Sequence, residues 1–283
     1  MKRHAENSTL DPQAKLAAEK AEALARLLLN TRRRHGPAAV ERLEQLFSAP
    51  PAPSPVGNGK VNQQVFQFPG LSAMPWHDSS VFPAVAQLEA GAETIWRELL
   101  RALEKRIGFQ RYNQERDYFI CKDHWKAMYF LLGGKRIKEN RSLCPETAKL
   151  IYSIPNVFGM AMFSALLPGG HIKPHRGPTN CRLTIHLGLI VPRSCGMRVG
   201  NETRRWKAGK CLVFDDTFEH EAWNESSATR FVLYVDIWHP NLTEVEVRFL
   251  KRLQQILRHE NHLQTSDRIL ADREKERGHA WWT

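Results

Sequence analysis

Long apolar runs are missing from this 283-residue chain. No stretch approaches the roughly 18 consecutive apolar residues that a spanning helix requires, which argues against a membrane-spanning helix. Met1-Lys2-Arg3-His4 leads into charged residues instead of the apolar segment of a signal peptide, so a cytoplasmic location with no membrane partner is expected. Cysteine is scarce as well. The five cysteines, Cys121, Cys144, Cys181, Cys195 and Cys211, are odd in number, widely spaced and without a C-x-x-C pair. That spacing argues against a disulfide framework and against a structural zinc site. Internal repeats are absent, which excludes a solenoid. Acidic side chains are in deficit, with 30 Asp and Glu against 41 Lys and Arg, for a formal net charge of +11. Such a surplus favours an acidic partner: a carboxylate-bearing small molecule, an acidic peptide or carrier, or nucleic acid. No aromatic and basic platform for stacked bases stands out, so nucleic acid ranks last.

The remaining composition, 42% hydrophobic and 25% charged, is that of a globular protein. Residues 1–48 predict an N-terminal helical hairpin. Asp11-Pro12 forms the cap of the first helix, Leu16, Leu24, Leu27 and Leu28 form its stripe, and Arg32, Arg33 and Arg34 fall in the turn. Val40, Leu43, Leu46 and Phe47 mark the second helix, and the pair is expected to pack on the main domain. Residues 49–60 are a proline-rich linker. The main domain then spans 61–243 and opens with one bracing helix over about 83–107, carrying Val85, Leu88, Ile95, Leu99, Leu103 and Ile107. Short β-rich runs follow: Ala127–Leu132, Gly159–Leu167, Cys181–Val191, Met197–Val199, Thr203–Trp206, Cys211–Phe214 and Arg230–Trp238. Gly200-Asn201 fits a tight hairpin. Many short antiparallel strands imply a mainly β core, a jelly-roll or barrel-like sandwich. Thr243-Glu244-Val245-Glu246 is a capping box that starts a C-terminal helical extension, 244–283, with Val247, Leu250, Leu253 and Leu257 turned inward.

Alternation separates two faces in the strands that matter most. In Cys181–Val191, Leu183, Ile185, Leu187 and Leu189 point to a core, whereas Arg182, Thr184 and His186 share the other face and require a wet or ligand-filled interior. In Arg230–Trp238, Phe231, Leu233, Val235 and Ile237 face one way, leaving Arg230, Val232, Tyr234 and Asp236 opposite. A guanidinium entering a β interior calls for an anion. Histidines bracket these strands at His171, His175 and His220. The H-x-x-x-H spacing of the first two is no zinc helix, because Pro174 interrupts it and the general-base glutamate is lacking.

Four blocks, Pro174-His175-Arg176-Gly177-Pro178-Thr179-Asn180-Cys181-Arg182-Leu183, His186-Leu187-Gly188-Leu189, Phe214-Asp215-Asp216-Thr217-Phe218-Glu219-His220-Glu221 and Asp236-Ile237-Trp238-His239-Pro240, closely resemble the aspartyl/asparaginyl β-hydroxylase family. The blocks keep the family's order and spacing over about 160–243, with weaker similarity back to Pro75-Trp76. The resemblance implies a double-stranded β-helix and an Fe(II)- and 2-oxoglutarate-dependent dioxygenase, with dioxygen as the second co-substrate. It makes His175 and His220 the iron ligands and catalytic pair. Arg230 and Ser164 then hold the distal carboxylate of 2-oxoglutarate, and His186 lies near its chelating end. Gly177 stands where most such oxygenases carry a carboxylate ligand, a departure that some members of this family share; Asp215, Asp216, Glu219 and Asp236 are the nearby carboxylates that bear on it. The chemistry implied is oxidative decarboxylation of 2-oxoglutarate to succinate, coupled to hydroxylation of an unactivated C–H bond, expected at the β-carbon of an aspartyl- or asparaginyl-like residue.

For substrate, the resemblance points to Arg182 as a grip for a carboxylate or amide. Thr184 replaces an arginine of characterised relatives, a change that weakens recognition of an aspartyl side chain. Lys135, Arg136 and Lys138 form a basic loop that offers further anion contacts or a solvated surface. A peptide, a carrier-bound amino acid or a free small acid is the expected substrate. The competing reading is a 2-oxoglutarate- and metal-binding sensing module without turnover.

Overall fold

A computed structural model of the chain describes residues 12–48, 66–112 and 124–257. Asp11, Cys121, the proline-rich linker at 49–60 and the expected domain start at Val61 lie outside these residues. No described helix is long and apolar enough to cross a membrane.

The β-rich unit is built from β1 (Trp76–His77), β2 (Gln110–Arg111), β3 (Trp125–Leu132), β4 (Lys135–Arg136), β5 (Val157–Leu166), β6 (His171–His175), β7 (Arg182–Ile190), β8 (Cys195–Val199), β9 (Glu202–Arg204), β10 (Cys211–Phe214), β11 (His220–Asn224) and β12 (Arg230–Trp238). An eight-stranded sheet runs β1-β10-β7-β12-β5-β3-β2, with β4 also on β3, and a four-stranded sheet runs β6-β11-β8-β9. From β5 onward the chain crosses between the sheets almost at every strand, and the pairings are antiparallel. This winding is the double-stranded β-helix that the family resemblance implies. Gly200, at φ 58, turns the β8-β9 hairpin with Asn201.

The two faces of β7 and β12 separate as alternation requires. Leu183, Ile185, Leu187, Leu189, Phe231, Leu233, Val235 and Ile237 join one apolar cluster with the helices, while Trp125, Met162, Ile172, Met197 and Phe214 form a second cluster between the sheets. The bracing helix is two helices: α3 (Pro83–Ala90) and α4 (Ala92–Glu104), divided at Gly91. A Cβ on Gly91 would meet Leu150 Cδ1 at 2.5 Å, so glycine admits the close approach of a neighbouring helix and costs helix continuity. That helix is α6 (Pro145–Ser153), which follows the short α5 (Lys138–Leu143); neither was anticipated from the sequence.

A separate helical unit comprises α1 (Pro12–His35), α2 (Glu41–Ser48) and α7 (Glu244–Leu257). Arg32, Arg33 and Arg34 occupy the last turn of α1 instead of a turn between helices, and they are exposed. The N-terminal hairpin and C-terminal helix are therefore partners, where the sequence suggested two independent extensions. Arg42 Nε and Nη2 donate to Glu246 at 2.8 and 2.5 Å, and Phe47 meets Phe249 edge-on. The capping box forms as read: Glu246 N–H donates to Thr243 Oγ1 at 3.2 Å and Thr243 N–H to Glu246 Oε2 at 2.8 Å. Leu250 and Leu253 are buried and Val247 partly so, but Leu257 is 48% exposed, contrary to expectation.

Candidate functional site

Between the two sheets lies a cavity lined by Ser164 from β5, His175 from β6, Arg182, Thr184 and His186 from β7, His220 from β11 and Arg230 from β12, together with Gly177 and Asp216. Seven of the nine residues singled out from the sequence therefore converge. Lys135 and Arg136 do not: both are exposed in β4, and the Arg136 guanidinium lies over the Tyr152 ring, 4.4 Å from its centroid. As a short antiparallel strand rather than a loop, β4 directs that basic pair away from the cavity lining.

Register brings the histidine pair together. His220 is the direct cross-strand partner of His175, which puts the ring centroids 4.0 Å apart. Pro174 is tolerated because β6 is the edge of its sheet, where a missing N–H breaks no ladder. His175 Nδ1 lies 2.7 Å from the Lys173 carbonyl oxygen and His220 Nδ1 2.9 Å from that of Phe218. A carbonyl can only accept, so both Nδ1 atoms carry protons and the ring lone pairs reside on Nε2. Burial holds His220 neutral, its pKa lowered to about 4.

Gly177 and Asp216 are fitted to each other. Gly177 N–H donates to the Asp216 carbonyl at 2.6 Å, and a Cβ at 177 would fall 2.1 Å from Asp216 Oδ1. The Asp216 side chain thus fills the space a residue at 177 would need. Of the four carboxylates noted near the histidines, Asp216 alone lines the cavity. Asp215 accepts from the Thr217 backbone and hydroxyl, and Glu219 pairs with Arg198. Among the described residues no group of three or more His, Cys, Asp or Glu side chains is arranged to hold a metal ion.

Arg182 lines the cavity with Nε unpartnered among the described residues, but the rest of its fork is already committed. Its Nη1 donates to Asp236 Oδ2 at 2.8 Å and its Nη2 to Asp216 Oδ2 at 2.6 Å, so both ends of the fork are engaged inside the protein. Thr184 Oγ1 donates to Asp236 Oδ1 at 3.0 Å. Burial opposes the Arg182 charge, but the two carboxylates outweigh it and raise its pKa. Two carboxylates around one guanidinium leave an excess negative charge, and burial pushes Asp236 up to about 6. The Asp236 role was missed, although Asp236 and Thr184 are register partners on two strands whose inward faces were both legible.

Arg230 is in the opposite situation. It is 1% exposed, and its Nε and Nη1 have no hydrogen-bond partner among the described residues. Burial lowers its pKa to about 10. The guanidinium lies over the Trp206 ring, 4.8 Å from the centroid. Ser164 Oγ accepts from Trp125 Nε1–H at 2.9 Å, and His186 Nε2 is buried without a partner among the described residues. Burial, and then the Arg230 charge, holds the His186 pKa well below the usual value. A cavity that presents unpartnered, buried N–H groups on one side and two imidazole lone pairs on another is complementary to an anion and a cation held together.

Comparison with known proteins finds relatives that cover the strands forming this cavity. A human protein named aspartyl/asparaginyl beta-hydroxylase is 35% identical over 196 residues, which cover 66% of this chain and 26% of that one. An ornithine lipid ester-linked acyl 2-hydroxylase of Rhizobium tropici is 38% identical over 176 residues, 60% of this chain and 62% of that one. Human aspartate beta-hydroxylase domain-containing protein 2 is 43% identical over 130 residues, 43% of this chain and 35% of that one. The chain thus spans about a quarter of the first relative's length and under two thirds of the second's. Residues 89–240, more than half of the chain and the whole of the cavity-forming β-helix from β5 to β12, match the family described as Aspartyl/Asparaginyl beta-hydroxylase, and the chain belongs to that family.

Proposed function

We propose that this chain is an Fe(II)- and 2-oxoglutarate-dependent oxygenase that hydroxylates an unactivated C–H bond. The observation that carries this reading is Arg230: a fully buried guanidinium with unpartnered N–H groups, in the same cavity as the histidine pair. A dicarboxylate supplies the missing acceptors, and the permanently charged fork of arginine suits it.

The residues present fit both groups. His175 and His220 would hold iron through Nε2, since their Nδ1 protons are directed to backbone carbonyls, the arrangement that orients imidazole ligands. Imidazole is a suitable donor for ferrous iron. The excess negative charge of Asp216 and Asp236 about Arg182 favours a nearby cation. When bound, iron and 2-oxoglutarate would supply the oxidising chemistry, with dioxygen oxidising the keto acid to succinate and carbon dioxide while one oxygen atom enters the substrate C–H bond. The chain's own part is binding and placement. Arg230 and Ser164 would take the distal carboxylate, His186 would donate from Nε2 to the co-substrate, and Trp125, Met197 and Phe214 would keep water from that end of the cavity. Arg182 would hold Asp216 beside the histidines.

Substrate choice follows from the same network. With Nη1 and Nη2 engaged by Asp236 and Asp216, Arg182 keeps only Nε without a partner among the described residues, so it offers a single donor and no bidentate clamp for a substrate carboxylate, and Thr184 supplies no second one. The reacting segment of the substrate is then a neutral one. An amide meets this requirement, as does an acyl chain of the kind named for the rhizobial relative; an aspartyl carboxylate does not.

Purified protein given ferrous iron, 2-oxoglutarate and panels of asparaginyl peptides, aspartyl peptides and acyl compounds should release succinate. Neutral substrates should give the higher yield, and release should be lost in His175→Ala and in Arg230→Ala. Turnover that persists in both variants would contradict the assignment. Binding of 2-oxoglutarate without succinate release on any panel would favour the sensing reading instead.

A further inference from the structure

Trp206 is 3% exposed and touches both of the polar groups that a bound dicarboxylate would meet. Its indole Nε1–H donates to His186 Nδ1 at 3.3 Å, with the ring planes 28° apart. The same indole carries the Arg230 guanidinium over its face. In a neutral imidazole the nitrogen that accepts a hydrogen bond has no proton, so the His186 proton resides on Nε2, the atom left without a partner among the described residues.

Backbone packing delivers the indole to this position. Gly188, two residues beyond His186 on β7, donates its N–H to the Lys210 carbonyl at 3.0 Å, and Gly209 N–H donates to the Gly188 carbonyl at 2.9 Å. A Cβ on Gly188 would lie 2.4 Å from the Lys207 carbonyl oxygen. Only glycine there lets the segment that carries Trp206 lie against the strand that carries His186.

The geometry points to Trp206 as a positioning residue for the anion end of the cavity. Its N–H selects the His186 tautomer that donates from Nε2, and its π face supports the Arg230 guanidinium, which no carboxylate pairs with among the described residues. This role rests on the reading of the cavity as a 2-oxoglutarate site.

The test uses the full chain with 15N-labelled histidine, metal-free, with the His186 signals assigned by their loss in His186→Gln. Wild type should show a proton on Nε2 and none on Nδ1. Trp206→Phe, which keeps an aromatic face but loses the donor, should shift the proton toward Nδ1. With Mn(II) as the metal probe, Trp206→Phe should bind 2-oxoglutarate about ten-fold more weakly, the worth of one hydrogen bond. Trp206→Leu, which also loses the face, should bind it more weakly still. A proton on Nδ1 in wild type would overturn the role, and that spectrum decides even if a variant fails to fold. So would an unchanged tautomer and affinity in Trp206→Phe. Absence of 2-oxoglutarate binding in wild type would instead remove the proposed co-substrate, while the tautomer comparison would still decide what Trp206 does.

Discussion

Gly177 has no room for a side chain, because the Asp216 carboxylate occupies the place where one would start. Gly177→Ala should therefore displace Asp216 and strain its pair with Arg182, costing about 1–3 kcal/mol as over-packing typically does. In an Asp216→Ala background the same substitution should cost much less, a coupling that denaturation of the four proteins would measure. Equal costs in both backgrounds would show that the two residues do not compete for space. His77 gives a second test at this scale. It is 6% exposed, with Nε2 unpartnered among the described residues, and burial lowers its pKa. The unfolded chain takes up a proton here below about pH 6.5 while the folded one resists it. The contribution of a neutral His77 is thus fully present above that pH and lost as pH falls. Asp215 and Asp236, raised to about 6 by burial, act in the opposite direction on the acid side. The loss of stability between pH 7.5 and 5.5, read by chemical denaturation, should be smaller in His77→Phe than in wild type. Identical losses would mean that His77 protonates freely when folded.

At the scale of elements, Glu98 joins α4 to the start of α6. It is fully buried; Oε1 accepts from the Glu146 N–H at 3.1 Å, and Oε2 accepts from the Thr147 N–H at 2.8 Å and the Thr147 hydroxyl at 2.7 Å. A carboxylate there satisfies first-turn donors and complements the helix dipole. Glu98→Ala should cost about 2–3 kcal/mol, since it leaves buried donors unmatched. Glu98→Gln, which keeps one acceptor, should cost less, and a melt in which both equal wild type would contradict the cap. How far elements could be read from sequence follows the strength of their patterns. β7 and β12 are long and alternate cleanly, so the inward set of Arg182, Thr184, His186 and Arg230 was legible. β6 and β11, which carry the paired histidines His175 and His220, are short and polar, and His171-Ile172-Lys173-Pro174-His175 does not look like a strand until its edge position is known. The His220, Ala222, Asn224 alternation of β11 was present but too short to stand out. α3 and α4 read as one helix because a single glycine breaks a continuous apolar stripe only when Leu150 is known to press on it.

For the whole molecule, what eluded the sequence is contact between distant segments. The pairing of α2 with α7 depends on Arg42 and Glu246, 204 positions apart, and Arg182 is engaged by carboxylates 34 and 54 positions away. A motif match can bring these residues to one site, but it does not say which charges are already neutralised there. That distinction separates Arg182, whose Nη1 and Nη2 are taken by two carboxylates and whose Nε alone is unpartnered, from Arg230, which no carboxylate pairs with among the described residues. If His175, His220 and Arg230 form one composite site, metal and 2-oxoglutarate must bind in a linked way. The direct measurement is the affinity for 2-oxoglutarate with and without Mn(II), in wild type, His175→Ala, His220→Ala and Arg230→Ala. The account predicts that metal strengthens binding in wild type, that either histidine variant loses this strengthening, and that Arg230→Ala loses most of the affinity. Binding that ignores both the metal and the histidines would contradict it.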